Sequence, residues 1–416
     1  MRLTIINQYY TPEICPTARL AAAVAEHRAA AGDHVTVIAS SGGYVPRSCT
    51  GDTARLRHCN PTVHRIPHLP LRRWGIGRIV NAIWFSISSL IILLTIQQQD
   101  VIVSMTTPGW IVLVAALYKR RHRKTRLVLW NMDCFPDMCE IAGWFRPGGR
   151  LSRVLRGICR RVFRFLDYLI CPDRIMVDRL LAAYRPADRD LPVAIIPNWE
   201  PMRRFPQPPP ATRKFADQHG LDGHFIVLYM GNAGHAHRFD TVIAAAKRLH
   251  ERRVTFLFIG DGVQRQRIEA TAAAQGLSNI RFLGHVPEEK VNDVLGAADA
   301  GMITLRDEAL GAVSPSKLHT KLAAALPVIY LGPAGSNVDE AIRHHRCGLS
   351  IRHGQVDRFV ECIEHLMSDP AVRRDMGQRA RKAFEHHFTE RQTLPCFDAV
   401  FEQLTPPDSQ HRTADG

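Results

Sequence analysis

The stretch FIVLYMGNAGHAHRFD, residues 225–240, decides the fold of this 416-residue chain. Apolar residues at 225–229 predict a buried strand, the glycines that follow predict a turn, and a helical pattern begins near Asp240. A strand that passes through a glycine turn into a helix is the first half of a strand–helix–strand unit. We therefore expect a parallel α/β sheet around this segment.

The same alternation of strand and helix patterns runs outward in both directions. Towards the C-terminus, strands are predicted at 225–229, 254–259, 280–283, 300–304, 328–331 and 348–351. Towards the N-terminus, they are predicted at 3–7, 34–39, 101–105, 127–130, 168–171 and 193–197. Residues 199–213 hold five prolines, which a helix or a central strand does not tolerate, and predict a linker.

These patterns predict an α/β protein with two doubly wound, Rossmann-like domains that face a cleft. The predicted boundaries are an N-terminal Rossmann-like domain at 1–198, the linker at 199–213, and a C-terminal Rossmann-like domain at 214–385. A C-terminal helix follows at 386–404, with packing back onto the N-terminal domain left open, and 405–416 form a frayed tail. Ligands of such domains bind at the C-terminal edges of the strands, where helix N-termini and glycine turns lie.

Positive charge is concentrated in the N-terminal half. Residues 1–200 hold 27 basic and 14 acidic residues, or +13, against +2 for the remainder, out of +15 in total. Residues 150–166 form a basic amphipathic helix, whose Arg153, Arg156 and Arg160 are predicted to face a membrane. The predicted partner is an anionic membrane surface, with a solvated face as the alternative. Nucleic acid is not expected, because no basic run is interleaved with stacking aromatic residues.

Residues 79–99 carry no charge and are long enough to be a membrane candidate. Polar residues dilute the segment and strands flank it, so we expect a buried or interface-lying helix rather than a span. The first ten residues lack the regions of a signal peptide, and the ten cysteines form no Cys-x-x-Cys pair. The predicted location is the cytoplasm, with peripheral association to the inner face of the cell membrane and reduced thiols.

Two segments of the C-terminal half carry groups suited to an anionic ligand. Gly231 and Asn232 begin the turn after the first strand, and His235, His237 and Arg238 supply donors for a diphosphate. The second segment is Ser314-Pro315-Ser316-Lys317, where a helix begins. A lysine in the first turn opposes the helix dipole, and this is favourable if the turn holds an anion. The alternatives are a solvated turn and an ordinary helix start.

In the N-terminal half, Asp133 follows the strand at 127–130 and lies at the C-terminal edge of its sheet. A carboxylate there can orient a hydroxyl nucleophile or accept its proton, or it can simply cap the turn at Pro136. The loop after the first strand contains Glu13 and Thr17, which we place on the acceptor side. The acidic residues Asp188 and Asp190 lie in a proline-flanked loop, so no metal site is predicted.

The ordered set of motifs resembles the GT-B glycosyltransferases, specifically the family-4-like branch that builds exopolysaccharides and O-antigens. The motifs that carry the resemblance are Asn7-Gln8-Tyr9-Tyr10-Thr11-Pro12-Glu13, Asp133 with Phe135-Pro136, Pro197-Asn198-Trp199, residues 229–237 and 239–241, and Pro315-Ser316-Lys317-Leu318 followed by 323–324 and 327–329. The resemblance implies that the N-terminal domain at 1–198 binds the acceptor and that the C-terminal domain at 214–385 binds the nucleotide-sugar. It also implies a nucleotide-diphospho-sugar donor as substrate, no metal or other cofactor, retention of configuration, and a lipid-linked saccharide acceptor.

The chain departs from that family at two acidic positions. Family members carry two glutamates eight residues apart near the Pro-Ser-Lys turn, and these positions correspond here to Ala312 and Thr320. Thr320 is retained as a donor-side candidate, with Glu340 or Asp339 as a substitute carboxylate. The departure motivates one alternative, a catalytically silent GT-B scaffold that binds a nucleotide-sugar or a membrane partner. A second alternative is a nucleotide-sugar epimerase with the same fold, against which the basic N-terminal half argues.

Overall fold

The computed structural model describes residues 1–13, 15–42, 61–71, 75–212 and 214–404. Its contacts divide the chain into two compact units. The first contains Met1–Pro197 together with the chain from Thr393 onward, and the second contains Asn198–Gln392. The predicted tail at 405–416 lies outside the described residues.

The first unit is built on a seven-stranded parallel sheet with the strand order β3-β2-β1-β4-β5-β6-β7. Its strands are β1 Arg2–Ile6, β2 His34–Ser40, β3 Thr62–Ile66, β4 Val101–Ser104, β5 Arg126–Trp130, β6 Tyr168–Cys171 and β7 Val193–Ile195. Its first six helices are α1 Pro16–Ala30, α2 Ile76–Thr95, α3 Val112–Arg121, α4 Asp137–Ile141, α5 Arg150–Phe163 and α6 Arg174–Tyr184. The six predicted strands are confirmed. The sequence analysis missed β3, a strand at the sheet edge in which only Ile66 is buried.

The second unit is built on a six-stranded parallel sheet with the order β10-β9-β8-β11-β12-β13. Its strands are β8 Phe225–Met230, β9 Val254–Ile259, β10 Ile280–Leu283, β11 Ala300–Thr304, β12 Val328–Leu331 and β13 Gly348–Ile351, all of them predicted. Its helices are α7 Lys214–Gln218, α8 Asp240–Arg248, α9 Arg265–Ala274, α10 Val291–Ala297, α11 Lys317–Ala323, α12 Asn337–His345, α13 Val356–Ser368 and α14 Pro370–His387.

Helix α2 is the long apolar segment, and it connects β3 to β4 within one parallel sheet. One face packs against the unit, where the amide Oδ1 of Asn81 accepts from the Leu69 N–H at 2.8 Å. Ser86 on the same face accepts a hydrogen bond from the Trp110 indole at 3.2 Å. Three of the polar residues that dilute the segment, Asn81, Ser86 and Ser89, therefore lie on its buried side, whereas Thr95 is exposed. Among the described residues, α2 is the helix long and apolar enough to cross a membrane by length and composition.

The opposite face of α2 carries an exposed apolar stripe, which consists of Ile76, Ile79, Val80, Ile83, Trp84, Ile87, Ile91 and Leu94. Ile87 and Ile91, one turn apart near the middle of the helix, are 53% and 56% exposed. Contiguous apolar surface of this kind is typical of an interaction site rather than of a solvated helix. We refer to these eight residues as the α2 stripe.

Residues 199–213, predicted as a linker, are packed into the second unit over much of their length. Phe205 is completely buried, and its carbonyl accepts a hydrogen bond from Arg381 of α14 at 3.0 Å. The Glu200 carboxylate is also buried and bonds to Arg204 at 2.9 Å. The prolines prevent a regular helix or strand, but the segment is still held to the second unit by these contacts. Residue 213 lies outside the described residues.

The last helix, α15 Glu390–Leu404, begins later than the predicted start at residue 386. Residues up to His387 complete α14, and the chain leaves the helical conformation where Thr389 forms a parallel bridge with Glu200. From Thr393 onward, α15 belongs to the first unit. There Phe397 packs edge-on against Trp130 at 4.7 Å between ring centroids, and Asp398 pairs with Arg28 at 2.7 Å.

We expect Phe397→Ala to destabilise the first unit by roughly 3–5 kcal/mol, because it removes a fully buried aromatic side chain and leaves a cavity beside Trp130. Urea denaturation followed by tryptophan fluorescence measures the change. The matched control is Glu402→Ala, an exposed position on the same helix, which should shift stability by less than about 0.5 kcal/mol. Equal shifts in the two variants would contradict the packing described here.

Candidate active site

The strand order of the second unit reverses between β8 and β11, and the loops that follow these two strands meet there. The Arg306 N–H, just after β11, donates to the Ala236 carbonyl in the loop after β8 at 2.8 Å. In open α/β sheets such a reversal leaves a crevice at the carboxyl ends of the strands, and ligands bind in it. The segment that opened the sequence analysis therefore ends at the expected ligand site of this unit.

His237 and Lys317 form the centre of this site. The buried imidazole of His237 donates from Nδ1 to the Thr304 carbonyl, 2.6 Å away at the end of β11. A carbonyl only accepts, so the proton lies on Nδ1 and the lone pair of Nε2 points to Lys317 Nζ at 2.9 Å. Burial, the cation of Lys317 and that of Lys321 hold the pKa of His237 well below its usual range. The imidazole is therefore a neutral acceptor that orients the lysine.

Two glycines allow the chain to approach closely around Lys317. Gly231 has a φ of +121°, and a Cβ at this position would lie 3.1 Å from Lys317 Cε. Gly262, after β9, has a φ of +133°, and a Cβ there would lie 2.6 Å from the Ala233 backbone nitrogen. The backbone amides of the two loops are thus brought against one another, as a phosphate cradle requires.

Three donors in and before α11, Ser314, Lys317 and Lys321, have few hydrogen-bond partners within the described chain. Ser314 Oγ and Lys321 Nζ are buried and have no hydrogen-bond partner within the described chain. Lys317, at the first position of α11, hydrogen-bonds to His237. Desolvation lowers the pKa of Lys317 to about 7 and, together with the charge of Lys317, lowers the pKa of Lys321 to about 7. These donors are suited to an incoming anion.

The other predicted donor-side residues have different surroundings. Arg238 is 48% exposed and pairs with Asp240 at 2.9 Å, so its guanidinium is partly engaged at the surface. His235 is half-buried. Asn232 is exposed, and its carbonyl accepts from the Tyr229 hydroxyl at 3.0 Å. Pro315 is buried and Ser316 half-buried, immediately before α11.

Thr320 and Glu340 do not supply the acidic group that the sequence analysis sought. Thr320 donates a hydrogen bond to the buried carboxylate of Glu200 at 2.8 Å, so its hydroxyl is already engaged by a residue of the predicted linker. Glu340 is exposed in the first turn of α12, while the neighbouring Asp339 is buried and accepts from Arg352 at 3.1 Å. Ala312 is completely buried. Glu200 and Lys321 were both missed, because nothing in their local sequence distinguishes them from a linker and a helix residue.

In the first unit, the sheet order reverses between β1 and β4, and Asp133 lies near that point. The Thr106 hydroxyl, after β4, accepts from the backbone N–H groups of Met132 and Asp133, both at 3.1 Å. This arrangement holds the loop after β5 beside β4. The alternative of a capping role at Pro136 finds no support, since α4 begins there without a side-chain cap.

Asp133 is accessible to solvent but has an unusual environment for a carboxylate. Desolvation by the surrounding protein raises its pKa to about 6, and the opposing charge of Arg78 is the smaller effect. Accessible surface lets a ligand reach the carboxylate, whereas the reduced hydration makes it a better base near neutral pH. Arg78, in the first turn of α2, was missed by the sequence analysis because it is a single cation in an apolar segment.

The predicted acceptor-side residues lie in the loop after β1 and at the start of α1. Glu13 is buried, and Thr17 is half-buried with its hydroxyl 3.4 Å from Cys15 Sγ. Glu13 and Arg78 both act on the pKa of Tyr9, which burial raises. Tyr9 is thus within electrostatic range of both Glu13 and Arg78, and Arg78 is also the cation that acts on Asp133.

The three arginines predicted to face a membrane do not share one surface. Arg153 is exposed, as predicted. Arg156 instead turns into the unit, where it pairs with Glu140 at 2.7 Å and hydrogen-bonds to the Tyr184 hydroxyl at 3.2 Å. Arg160 is exposed and donates to the Ala183 carbonyl at 3.3 Å. The prediction for Arg156 is wrong, because buried carboxylates of α4 attract its guanidinium. Across the described ranges, no group of three His, Cys, Asp or Glu residues is arranged to hold a metal ion.

Comparison with known proteins agrees with this division of the chain. Residues 212–383 match the family model described as "Glycosyl transferases group 1", and residues 17–199 match the "Glycosyl transferase 4-like domain". The chain belongs to the group 1, 4-like glycosyltransferases and has the GT-B fold. It is thus an enzyme of sugar transfer, which decides against the epimerase and the silent scaffold.

Two curated relatives and two solved structures show the breadth of the similarity. The probable glycosyltransferase WbjE of Pseudomonas aeruginosa is 24% identical over 79% of this chain and 80% of its own length. The putative colanic acid biosynthesis glycosyl transferase WcaI of Escherichia coli is 25% identical over 78% of this chain and 81% of its own length. Anabaena HepE with UDP-glucose superimposes with a TM-score of 0.72 at 14% identity, covering 97% of this chain and 100% of HepE. WaaG, a glycosyltransferase involved in lipopolysaccharide biosynthesis, superimposes with a TM-score of 0.67 at 18% sequence identity, covering 96% of this chain and 99% of WaaG.

The pKa of Asp133 leads to a prediction about pH. We expect transfer activity to fall by up to about tenfold per pH unit below pH 6, because protonation removes the carboxylate. Asp133→Asn should lower kcat by about 100-fold or more and leave the Kd of the nucleotide within about twofold. Asp188→Asn, an exposed position, is the matched control. A variant with unchanged kcat, or with equal losses in kcat and nucleotide affinity, would contradict this role.

Proposed function

We propose that the protein transfers a sugar from a nucleotide-diphosphate donor to a lipid-linked saccharide in surface polysaccharide biosynthesis, with retention of configuration. The observation that carries the proposal is the oriented Lys317–His237 pair, which lies at the β8–β11 reversal beside the unpartnered Ser314 hydroxyl. Relatives named for colanic acid and lipopolysaccharide biosynthesis support the class of product. The structure of HepE with UDP-glucose makes UDP the first nucleotide to test.

The donor side of this mechanism depends on Lys317. Because His237 Nε2 accepts one N–H of the ammonium, the remaining N–H groups of Lys317 are available for a phosphate oxygen. Negative charge develops on the diphosphate as the sugar–phosphate bond breaks, and an oriented cation stabilises that charge without reorganisation. Ser314 Oγ supplies a neutral donor from the same segment. Asp133 then orients the acceptor hydroxyl and takes its proton.

Metal ions are not part of the proposed reaction. Divalent cations in sugar transfer neutralise the leaving diphosphate, and here Lys317 and Lys321 provide cationic groups in the same unit. No described carboxylate affects the pKa of either lysine. The positive charge is therefore not already balanced by the protein.

The proposed acceptor side is in the first unit and joins apolar surface to positive charge. The α2 stripe begins in the helical turn that contains Arg78, and Arg78 acts electrostatically on Asp133. A lipid-linked saccharide combines an apolar chain with anionic phosphate, so the two features suit its two parts. We propose that the protein associates peripherally with the inner face of the cell membrane, that the α2 stripe lies in its interface, and that exposed basic residues such as Arg153 and Arg160 contact anionic lipid.

The first test of the proposal concerns the donor. We expect UDP to bind with unchanged affinity in excess EDTA and in Mg²⁺, and Lys317→Met to weaken binding by about 1.5–3 kcal/mol, or about 10-fold to 150-fold. Isothermal titration calorimetry measures both effects. Arg238→Met is the matched comparison and should cost less than about 1 kcal/mol, since its guanidinium is exposed and paired with Asp240.

Binding of UDP only in the presence of a divalent cation would refute the metal-independent mechanism. Failure of UDP, GDP, dTDP and ADP to bind would refute the donor site as a whole. If Arg238→Met weakened UDP binding more than Lys317→Met, the diphosphate would have to lie at the exposed turn before α8 rather than against His237.

The second test concerns the membrane. We expect co-sedimentation with vesicles that contain anionic phosphatidylglycerol, weaker binding to pure phosphatidylcholine, and release by high salt. Replacing Ile87 and Ile91 by Gln should reduce binding at least about tenfold, because two exposed isoleucines no longer enter the interface. The control is Val263→Gln, an exposed apolar position of the second unit. Binding that resists the double substitution would exclude the α2 stripe as the contact surface.

A further inference from the structure

Lys321 is a buried cation that the proposed mechanism does not yet explain. Its side chain is completely buried, and Nζ has no hydrogen-bond partner among the described residues. Its stem lies against β11 at Gly301, where a Cβ would be 2.6 Å from Lys321 Cδ. Burial of an unpaired ammonium is unfavourable, so a lysine here needs a compensating partner or must lose its proton.

The charged groups near α11 do not provide that partner. On the same helix, the pKa of His319 is lowered to about 4 by burial, so it is neutral at pH 7. His237 is also neutral, for the reasons given above. Other charged groups on elements packed around α11 are engaged with one another or with the backbone: Glu200 with Thr320 and Arg204, Asp299 with Ile226 and Arg373, Asp375 with Arg379, and Arg381 with Phe205, Ala323 and Glu385.

Lys317 and Lys321 therefore form a coupled pair of like charges. Lys317 is half-exposed and donates to His237, whereas Lys321 is fully buried and has no acceptor among the described residues. Desolvation lowers the pKa of both lysines to about 7, so above pH 7 the pair holds few protons in the protein without nucleotide. The titration belongs to the pair, and addition of the second proton is opposed by the first. A diphosphate bound at Lys317 raises the pKa of both lysines, because each ammonium group then lies near negative charge.

We propose that Lys321 takes up a proton from solvent when the donor diphosphate binds at Lys317, so that nucleotide binding is coupled to protonation of a buried positioning residue. The inference rests on the proposed function, since it requires a diphosphate at Lys317. The proton adds to the lone pair of Lys321 Nζ, and no other bond changes. Lys321 does not touch the ligand; it supplies a second positive charge beneath Lys317 only while the site is occupied.

Proton uptake on binding determines the direction in which nucleotide affinity changes with pH. If binding takes up a proton, nucleotide affinity is greatest where the pair is already protonated and falls as pH rises above about 7, the pKa of both lysines in the free protein. Departure of the nucleoside diphosphate after transfer then returns the proton to solvent. Raising the pH should therefore favour product release as well as weaken donor binding.

Calorimetric titration of the full chain with UDP in Tris and in HEPES near pH 8 measures the proton directly, because the two buffers have different ionisation enthalpies. Lys317, whose pKa is also about 7 in the free protein, takes up its own proton in both proteins, so we expect the wild type to take up about one proton per UDP more than Lys321→Met. From pH 7 to pH 9 the Kd of the wild type should rise by about tenfold more than the Kd of Lys321→Met. Lys382→Met removes an exposed lysine from α14 and should behave like the wild type.

Several results would overturn the inference. Equal proton uptake in the wild type and in folded Lys321→Met, or uptake near zero in the wild type with UDP bound, would each do so. Circular dichroism checks folding, and Lys321→Gln is the second variant if Lys321→Met is unstable. Failure of every nucleoside diphosphate to bind would refute the proposed function itself, and the inference with it.

Discussion

The hydrogen bond from Lys317 to His237 is the interaction on which the site of the second unit depends. It joins the first turn of α11 to the loop after β8, and His237 is in turn fixed by the last residue of β11. Because the acceptor is a neutral nitrogen rather than a carboxylate, the lysine is oriented without losing its charge to an ion pair. A carboxylate in the same place would neutralise the site and leave little for an anion to gain.

The two sheets use their points of reversal for opposite charges. At the β8–β11 reversal, the groups without strong protein partners are cations and a hydroxyl. Near the β1–β4 reversal, the prominent group is the carboxylate of Asp133, with the single charge of Arg78 acting on it. Parallel sheets bring the ends of non-consecutive strands together, so residues distant in sequence meet without special loop lengths. In the function proposed above, the same architecture serves an anionic leaving group in one unit and a hydroxyl nucleophile in the other.

The sequence was sufficient for the features that depend on local pattern. Buried parallel strands are short apolar runs, and twelve of the thirteen strands in the described part of the chain are recognisable as such. The exception is β3, because an edge strand with His64 and Arg65 lacks that run. Gly231 and Lys317 were found because a turn and a helix start have local signals. Lys321 could not be found, since a lysine in a helix looks the same whether it is solvated or placed against a glycine of a neighbouring strand. Arg156 was misjudged for the related reason that its carboxylate partners come from another helix.

The return of α15 to the first unit affects the order in which the protein can be completed during synthesis. A ribosome releases β1 to β7 first, but the side chains that cover Trp130 and pair with Arg28 lie near residues 397 and 398. The whole second unit is translated before they emerge. Until then, the aromatic surface of the first unit around Trp130 stays exposed, which makes the nascent unit a candidate client for chaperones that bind exposed apolar surface. The second unit has all its strands before the chain reaches α15, and has no such delay.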